Sequence, residues 1–407
     1  MLIFFPKKIL ISLISEQQIP NVLFIKQIEP DYNIFVTTEQ MEKIKQSDKI
    51  INTLRLDNDN VTKIIVDSEN IKEIIKKCKD EIEKINNKIK ELGLNGEFIL
   101  NITGGTKIMA LAAYELAKEF NIKTYYLPRQ STKFIKIYPK AGNSNEDIKL
   151  ELSDFTVKEY LNSYIFQKIG GLEITFSKPS YNFDKAKLMF KKKDSLKGDV
   201  YEKLRQYGRN KDLKEMNDDI KNFLDNIEFE YKDKDKIFKE ESRYITGGWF
   251  EEYVYYFIKE KCGINEIHIG IKIPKGEQSV ENEFDIMFLS GINLHIIECK
   301  TSLKYNIPKD HSNETVYNSA GDHSSSDNKQ DKKNIFSETV YKSAALLRNM
   351  GLTAKTAIVT LENLSDKNGE IRRDYKDRAE YFRIKIIDGP KVLDENKFKE
   401  EIEKFIK

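Results

Sequence analysis

The chain has 407 residues, 39% of them apolar and 33% charged, with a formal net charge of +2. That length suits two or three domains with separate cores, and the near-neutral balance excludes a molecule-wide basic field for nucleic acid, so such binding must come from a local patch. No apolar run reaches the ~20 residues of a membrane-spanning helix, and "MLIFFPKKILISLIS" reads as a first strand rather than a signal peptide, because its lysines follow apolar residues.

In chain order, the first 145 residues alternate short runs rich in Ile, Val, Phe and Tyr with helical patterns. The strand-like runs are "KILISLI", "YNIFVTT", "VTKIIVD", "GEFILNIT", "IKTYYLP" and "KFIKIYP". The helical ones are "EQMEKIKQSDKIINTL", "SENIKEIIKKCKDEIEKINNKIKELG" and "KIMALAAYELAKEF". This alternation predicts an α/β domain with a parallel, doubly wound sheet over residues 1–145. Across 146–240, "FTVKEYLNSYIF" reads as a helix, and charge runs such as "EYKDKDKIFKEE" read as solvated surface. That stretch is expected to be a helical linker or small accessory module.

Residues 241–407 form a third texture. A helix "GGWFEEYVYYFIKEKC" precedes three strands, a helix "ETVYKSAALLRNMG", strands "AKTAIVT" and "FRIKIID", and a C-terminal helix. "ETVYNSA" at 314–320 recurs as "ETVYKSA" at 338–344, and the polar insert between them reads as a flexible loop. Cys78, Cys262 and Cys299 are an odd, scattered set, which fits reduced thiols in a cytoplasm. The four histidines offer no zinc-binding spacing.

The stretch "EFDIMFLSGINLHIIECKTS" (283–302) carries ionisable groups at the ends of two apolar strands. Gly291-Ile292 suits a two-residue type II′ turn. That register sets Asp285 opposite Glu298, with Lys300 on the same face and Cys299 pointing away. Two adjacent carboxylates need a cation, and hard oxygen ligands favour magnesium or manganese. A lysine beside them can act on a water or a phosphate. The alternative is a salt-bridged hairpin end in which Lys300 neutralises both acids. In the preceding helix, Trp249, Tyr253 and Tyr256 recur at helical spacing and are expected to pack on the sheet. Glu251 and Glu252 stand in its first turn, where the helix dipole explains one acid and the other can reach the hairpin.

A helix bearing Glu, a strand with Asp and a strand with Glu-x-Lys resemble the PD-(D/E)xK nuclease superfamily, which has a restriction-endonuclease-like α/β fold. The resemblance implies that Asp285 and Glu298 hold Mn2+ or Mg2+, with the Cys299 carbonyl as third ligand. It also implies Lys300 beside the attacking water, and Glu251 or Glu252 assisting. Phe284 stands where the family has proline.

In the N-terminal part, an apolar strand runs into Thr103-Gly104-Gly105-Thr106-Lys107 and then a helix. Glycines, hydroxyls and a lysine at a helix start suit phosphate or ribose, though a tight strand-to-helix turn explains them equally well. The spacing is neither a Walker loop nor a dinucleotide fingerprint. The first βα loop, "SLISEQQIPNVLFIKQ", adds Ser15, Gln17, Gln18 and Asn21, and the second strand ends on Thr37 and Thr38. Ligands of open parallel sheets bind at the carboxyl ends of strands, where these three clusters converge.

From "SEQQIPN" and "TGGTK" to "GGWFEEYVY" and "ECKT", the chain resembles CARF-domain ancillary nucleases of type III CRISPR antiviral defence. The resemblance implies a Rossmann-like sensor with helices on both sheet faces, in a homodimer that binds cyclic tetra-adenylate as allosteric activator. It further implies a metal-dependent endonuclease acting on DNA (single-stranded or nicked duplex) and on RNA. Two other readings stand beside it: a ligand-sensing regulator with a nuclease-like scaffold, and a sensor that degrades its own cyclic nucleotide using Lys107 and the neighbouring hydroxyls.

Overall fold

The computed structural model describes residues 8–91, 95–129, 131–139, 146–165, 173–209, 214–275, 280–306, 332–347 and 350–407. The N-terminal strands are Lys8–Leu13 (β1), Tyr32–Thr37 (β2), Val61–Ile65 (β3), Glu97–Asn101 (β4), Lys123–Tyr126 (β5), Lys133–Tyr138 (β6) and Ile148–Lys149 (β7). They form one seven-stranded sheet in the order β3-β2-β1-β4-β5-β6-β7. β1 to β5 run parallel, and β6 and β7 add an antiparallel edge that the sequence reading did not foresee.

Ile19–Ile28 (α1), Glu39–Lys43 (α2), Gln46–Leu54 (α3), Ile71–Glu91 (α4) and Lys107–Phe120 (α5) connect these strands. Side chains alternate across the sheet as a strand period of two requires. Leu10 and Phe35 share a core with Phe24 of α1 and Ile50 of α3, while Ile9, Ile11 and Val36 join Ile82 of α4 and Leu116 of α5. The fold is therefore Rossmann-like, with helices on both faces. Two details differ from expectation. The first βα loop is largely helix α1, because Pro20 opens its first turn and Ile19, Val22, Leu23, Phe24 and Ile25 are all buried. The helix expected over 39–54 breaks at Lys45, whose φ of 57° is left-handed.

Val157–Tyr164 (α6) follows, closed at its start by a reciprocal capping box between Thr156 and Glu159. Its buried Val157, Tyr160 and Leu161 belong to a core shared with α1, α3 and strand residues Phe284, Met287 and Leu294 of the C-terminal half. α6 is thus the wedge between the two halves.

The remaining elements are Thr175–Ser177 (β8), Phe183–Lys191 (α7), Asp199–Arg209 (α8), Lys214–Glu215 (β9), Asp218–Asn226 (α9), Lys236–Ile237 (β10), Lys239–Arg243 (α10) and Trp249–Lys261 (α11). Then come Ile267–Lys275 (β11), Val280–Ser290 (β12), Asn293–Lys300 (β13), Lys304–Asn306 (β14), Lys332–Asn334 (β15) and Ile335–Leu347 (α12). Lys355–Thr360 (β16), Arg373–Tyr381 (α13), Ile384–Ile387 (β17), Gly389–Val392 (α14) and Glu395–Ile406 (α15) complete the chain. A six-stranded mixed sheet runs β17-β16-β13-β12-β11-β8, and β9 with β10 and β14 with β15 make two small ribbons.

The stretch read as a linker is built into this half. β8 forms the sheet edge on β11, and residues of α7, α8 and α9 share a core with α11. The aromatic row of α11 accordingly meets α7 rather than the sheet. Tyr253 stacks on Phe190 at 4.2 Å and Tyr256 on Phe183 at 5.5 Å, with Trp249 edge-on to Phe190. The first "ETVYNSA" copy and most of the polar insert lie outside the described residues.

Candidate functional site

The β12–β13 hairpin turns at Gly291, whose φ is +59°, while Ile292 is not among the residues of positive φ. Positive φ at the first central position alone is the type II′ requirement. The paired register runs from Ser290–Asn293 to Ile286–Ile297, as the turn dictates. Beyond it the Asp285 carboxylate takes over a main-chain role: its Oδ2 accepts the Cys299 N–H at 2.7 Å. Asp285 is thereby fixed at the end of the hairpin beside Glu298 and Lys300.

Lys300 Nζ sits among three acceptors: the Cys299 carbonyl at 3.1 Å, Glu298 Oε2 at 3.3 Å and Asp285 Oδ2 at 3.4 Å. Glu298 is 2% exposed, and its Oε1 is buried with no hydrogen-bond partner. Glu251 faces the same cluster from the first turn of α11. Burial first, and then the charge of Asp285, push the pKa of both Glu251 and Glu298 up, with Lys300 opposing. Burial works against the Lys300 charge, but Asp285 and Glu298 outweigh it and raise its pKa. Lys300 faces three carboxyls, and the buried oxygen of Glu298 without a hydrogen-bond partner fits a cation.

The two acids of α11 separate cleanly. Glu252 accepts the N–H groups of Ser180 and, at 3.1 Å, Tyr181, so it caps the chain entering α7. Glu251 is the one that joins Asp285, Glu298 and Lys300. The Cys299 thiol points into the core with α11, where burial raises its pKa well above the usual thiol value. These groups line a cleft of about 450 Å³ that also receives Arg243, Lys272 and Lys342. The sequence reading missed Lys342, which arrives from α12. The two ETVY copies differ at one position, Asn318 against Lys342, and that difference is the only mark the sequence bears of it.

At the carboxyl edge of the N-terminal sheet, the candidate ligand residues divide into two groups. Gln18, Asn21 and Thr37 are fully buried. Gln18 Nε2 donates to Gln46 Oε1 at 2.6 Å, Asn21 Nδ2 to the Leu13 carbonyl at 2.9 Å, and Thr37 Oγ1 to Glu42 Oε1 at 2.9 Å. Asn101, which sequence reasoning passed over, joins Asn21 Oδ1 at 2.9 Å to the Thr103 hydroxyl at 2.6 Å. These residues hold the loops in place. Ser15 and Thr38 are partly exposed, and Thr106 and Lys107 are exposed. Thr106 caps α5 through the Met109 N–H at 3.2 Å and donates to the Ser68 carbonyl at 3.2 Å. Gly104 is required by close approach, since a Cβ there would stand 2.1 Å from the Leu13 carbonyl oxygen. Gly105 has a φ of +71°.

Gln17 points elsewhere. Its Oε1 accepts the Leu352 N–H at 3.0 Å and the Tyr164 hydroxyl at 3.3 Å, so this loop is tied to the C-terminal half.

Residues 9–160 match the family model of the Card1 CARF domain, and residues 238–322 that of the Card1-like endonuclease domain. The chain joins a Card1-type CARF domain to a Card1-like endonuclease domain. Among solved structures it is similar to Can2 from Sulfobacillus thermosulfidooxidans in complex with cyclic tetra-adenylate. That likeness has a TM-score of 0.67 and 20% identity, over 98% of this chain and 99% of that one. Protein VC1899 from Vibrio cholerae gives 0.67 and 18%, over 98% of both chains. A type III CRISPR defence DNA nuclease activated by cyclic oligoadenylate gives 0.52 and 15%, over 91% of this chain and 51% of that one. At these identities the likeness is one of fold. No curated protein sequence matches the chain.

The raised carboxylates of the endonuclease domain set a pH dependence. A carboxyl whose pKa is higher folded than unfolded keeps its proton in the native state after the unfolded chain has lost it, so stability falls as pH rises. The window opens at the unfolded value of 4.5 and extends to about 8 for Glu251. Buried His295, whose pKa burial pushes down to about 4, works the other way below 6.5, so the melting temperature of metal-free protein is expected to fall between pH 6.5 and 8. Glu251→Gln is expected to flatten the fall, and manganese to recover more stability at pH 8 than at pH 5. Differential scanning fluorimetry across pH checks all three.

Proposed function

We propose that the chain is a metal-dependent endonuclease switched on by cyclic tetra-adenylate at its CARF domain, and that it acts as a homodimer in type III CRISPR defence. The observation that carries the nuclease reading is the cluster of Glu251, Asp285, Glu298 and Lys300 in one open cleft, with an orphaned carboxylate oxygen. Among the described residues, no three His, Cys, Asp or Glu side chains form a metal-holding group. Mn2+ or Mg2+ would be held by the carboxylates of Asp285 and Glu298 with the Cys299 carbonyl, the acceptors that Lys300 now bridges. The bound metal would supply Lewis acidity and an acidified water. Lys300, released toward the cleft, would hold the attacking water and stabilise charge developing on the phosphate. Glu251 would accept a proton or hold a water at the rim. The substrate would be DNA, single-stranded or nicked duplex, and RNA.

A regulatory protein with a nuclease-like scaffold is the second reading, favoured by the same three contacts of Lys300, which close the hairpin without a metal. Glu298→Ala separates the two. Cleavage of a single-stranded oligonucleotide with manganese is expected to fall at least ~1000-fold, the scale of losing a metal ligand or charge stabiliser. Binding of cyclic tetra-adenylate is expected to stay within about twofold, since Glu298 is remote from the CARF loops. Substantial residual cleavage would remove this hairpin from the active site.

For the activator, Ser15, Thr38, Thr106 and Lys107 supply hydroxyls and a cation at the carboxyl edge of the sheet, and the fold likeness to cyclic tetra-adenylate-bound Can2 supports that ligand. Exposed Ile71, Ile108 and Leu111 flank the same edge and suit the docking of a second copy. No helix among the described residues is long and apolar enough to cross a membrane, and a cytoplasmic location fits the reduced thiols.

Gating would run through Gln17. Leu352, which Gln17 holds, leads into β16, and β16 pairs with β13 up to Thr360–Lys300. The Gln17 bonds tie the sensor loop to the C-terminal half, so Gln17→Ala is expected to change the cyclic tetra-adenylate concentration for half-maximal cleavage about fivefold, the equivalent of one hydrogen bond of ~1 kcal/mol. A titration of cleavage against cyclic tetra-adenylate reads this directly. Superimposable curves for variant and wild type would place Gln17 off the path.

A further inference from the structure

We propose that Lys342 is a second lysine of the active site, one that binds a phosphate of the substrate strand beside the scissile bond. This rests on the nuclease reading above. Lys342 comes from α12, not from the hairpin that carries the other charged groups. Its Nζ stands 4.0 Å from Glu298 Oε1, the buried oxygen that has no hydrogen-bond partner, and donates to the Glu283 carbonyl at 3.3 Å. Lys300 lies against the opposite oxygen of the same carboxylate, so two ammonium groups bracket Glu298.

The two lysines differ in setting. The Lys300 side chain is 28% exposed and holds three acceptors, whereas that of Lys342 is 51% exposed and stands at the mouth of the cleft. An ion pair at 4.0 Å and that exposure contributes little. Lys342 can exchange it at small cost for a phosphate oxygen. A polyanion approaching Glu251, Glu283, Asp285 and Glu298 is repelled unless cations offset them, and Lys342 does so together with Arg243 and Lys272 of the same cleft. Lys342 is placed for this, since it already faces the acid nearest the reacting centre. Its long stem lets the ammonium swing outward without moving α12.

The test compares wild type, Lys342→Ala and Lys342→Arg on a fluorescein-labelled single-stranded oligonucleotide. Affinity is measured by anisotropy over a salt series in EDTA with saturating cyclic tetra-adenylate, and cleavage is followed with manganese. For Lys342→Ala, affinity is expected to fall about 5- to 10-fold, KM to rise more than kcat falls, and the log–log salt slope to shrink by about 0.7, one phosphate contact on a single strand. Lys342→Arg is expected to restore the slope. An unchanged slope and KM overturn the proposal, whether or not kcat or melting temperature falls. Glu298→Ala in the same cleavage assay keeps the two readings apart. If it cleaves normally the nuclease assignment fails. If it is dead while Lys342→Ala keeps its slope, only the role of Lys342 fails.

Discussion

Negative charge crowded into one cleft governs this structure. Glu251, Asp285 and Glu298 meet where the β12–β13 ladder ends, and Lys300 is the ammonium group bonded among them. Crowding of this kind is costly away from water, so such a cluster persists only where the fold over-determines it. Here the hairpin register, the Asp285 bond to the Cys299 N–H and the packing of α11 on α7 each fix one member. Burial, and then the Asp285 charge, account for the raised carboxyl pKa values, and the crowded oxygens account for the fit to a divalent cation.

The second dependence is geometric. α6 inserts its buried face between the CARF helices and the endonuclease sheet, so the two domains share a continuous core. Beside that wedge, Tyr160 donates to the Met350 carbonyl at 2.9 Å, and Gln17 holds the next turn at Leu352. Gly351 adopts a φ of +83° there, and a Cβ would stand 2.4 Å from the Tyr164 ring. The turn continues into β16, which pairs with the strand carrying Glu298 and Lys300.

Local patterns made much of this legible in the sequence. Six of the seven N-terminal strands, α5 and the hairpin register followed from periodicity and from one Gly-Ile turn. What escaped notice depends on tertiary contact. α1 is apolar on nearly every side, so it lacks the stripe that marks an amphipathic helix. The segment from 173 to 243 looked solvated because its charged residues outnumber the few aromatic rings that anchor it, and Phe183 and Phe190 acquire meaning only against Tyr253 and Tyr256. Glu251 and Glu252 were indistinguishable as neighbours, and only the Ser180–Tyr181 turn shows which of them caps. Gln17 read as a ligand group because its position in the loop was visible and its partners, far along the chain, were not.

The central claim is that occupancy of the CARF domain controls chemistry at the hairpin. It is tested most directly by measuring single-stranded oligonucleotide cleavage by the wild-type protein with manganese, across a range of cyclic tetra-adenylate concentrations. The account predicts negligible cleavage without the cyclic nucleotide and a saturable rise as it is added. Equal cleavage at every concentration, or none at any, would contradict it.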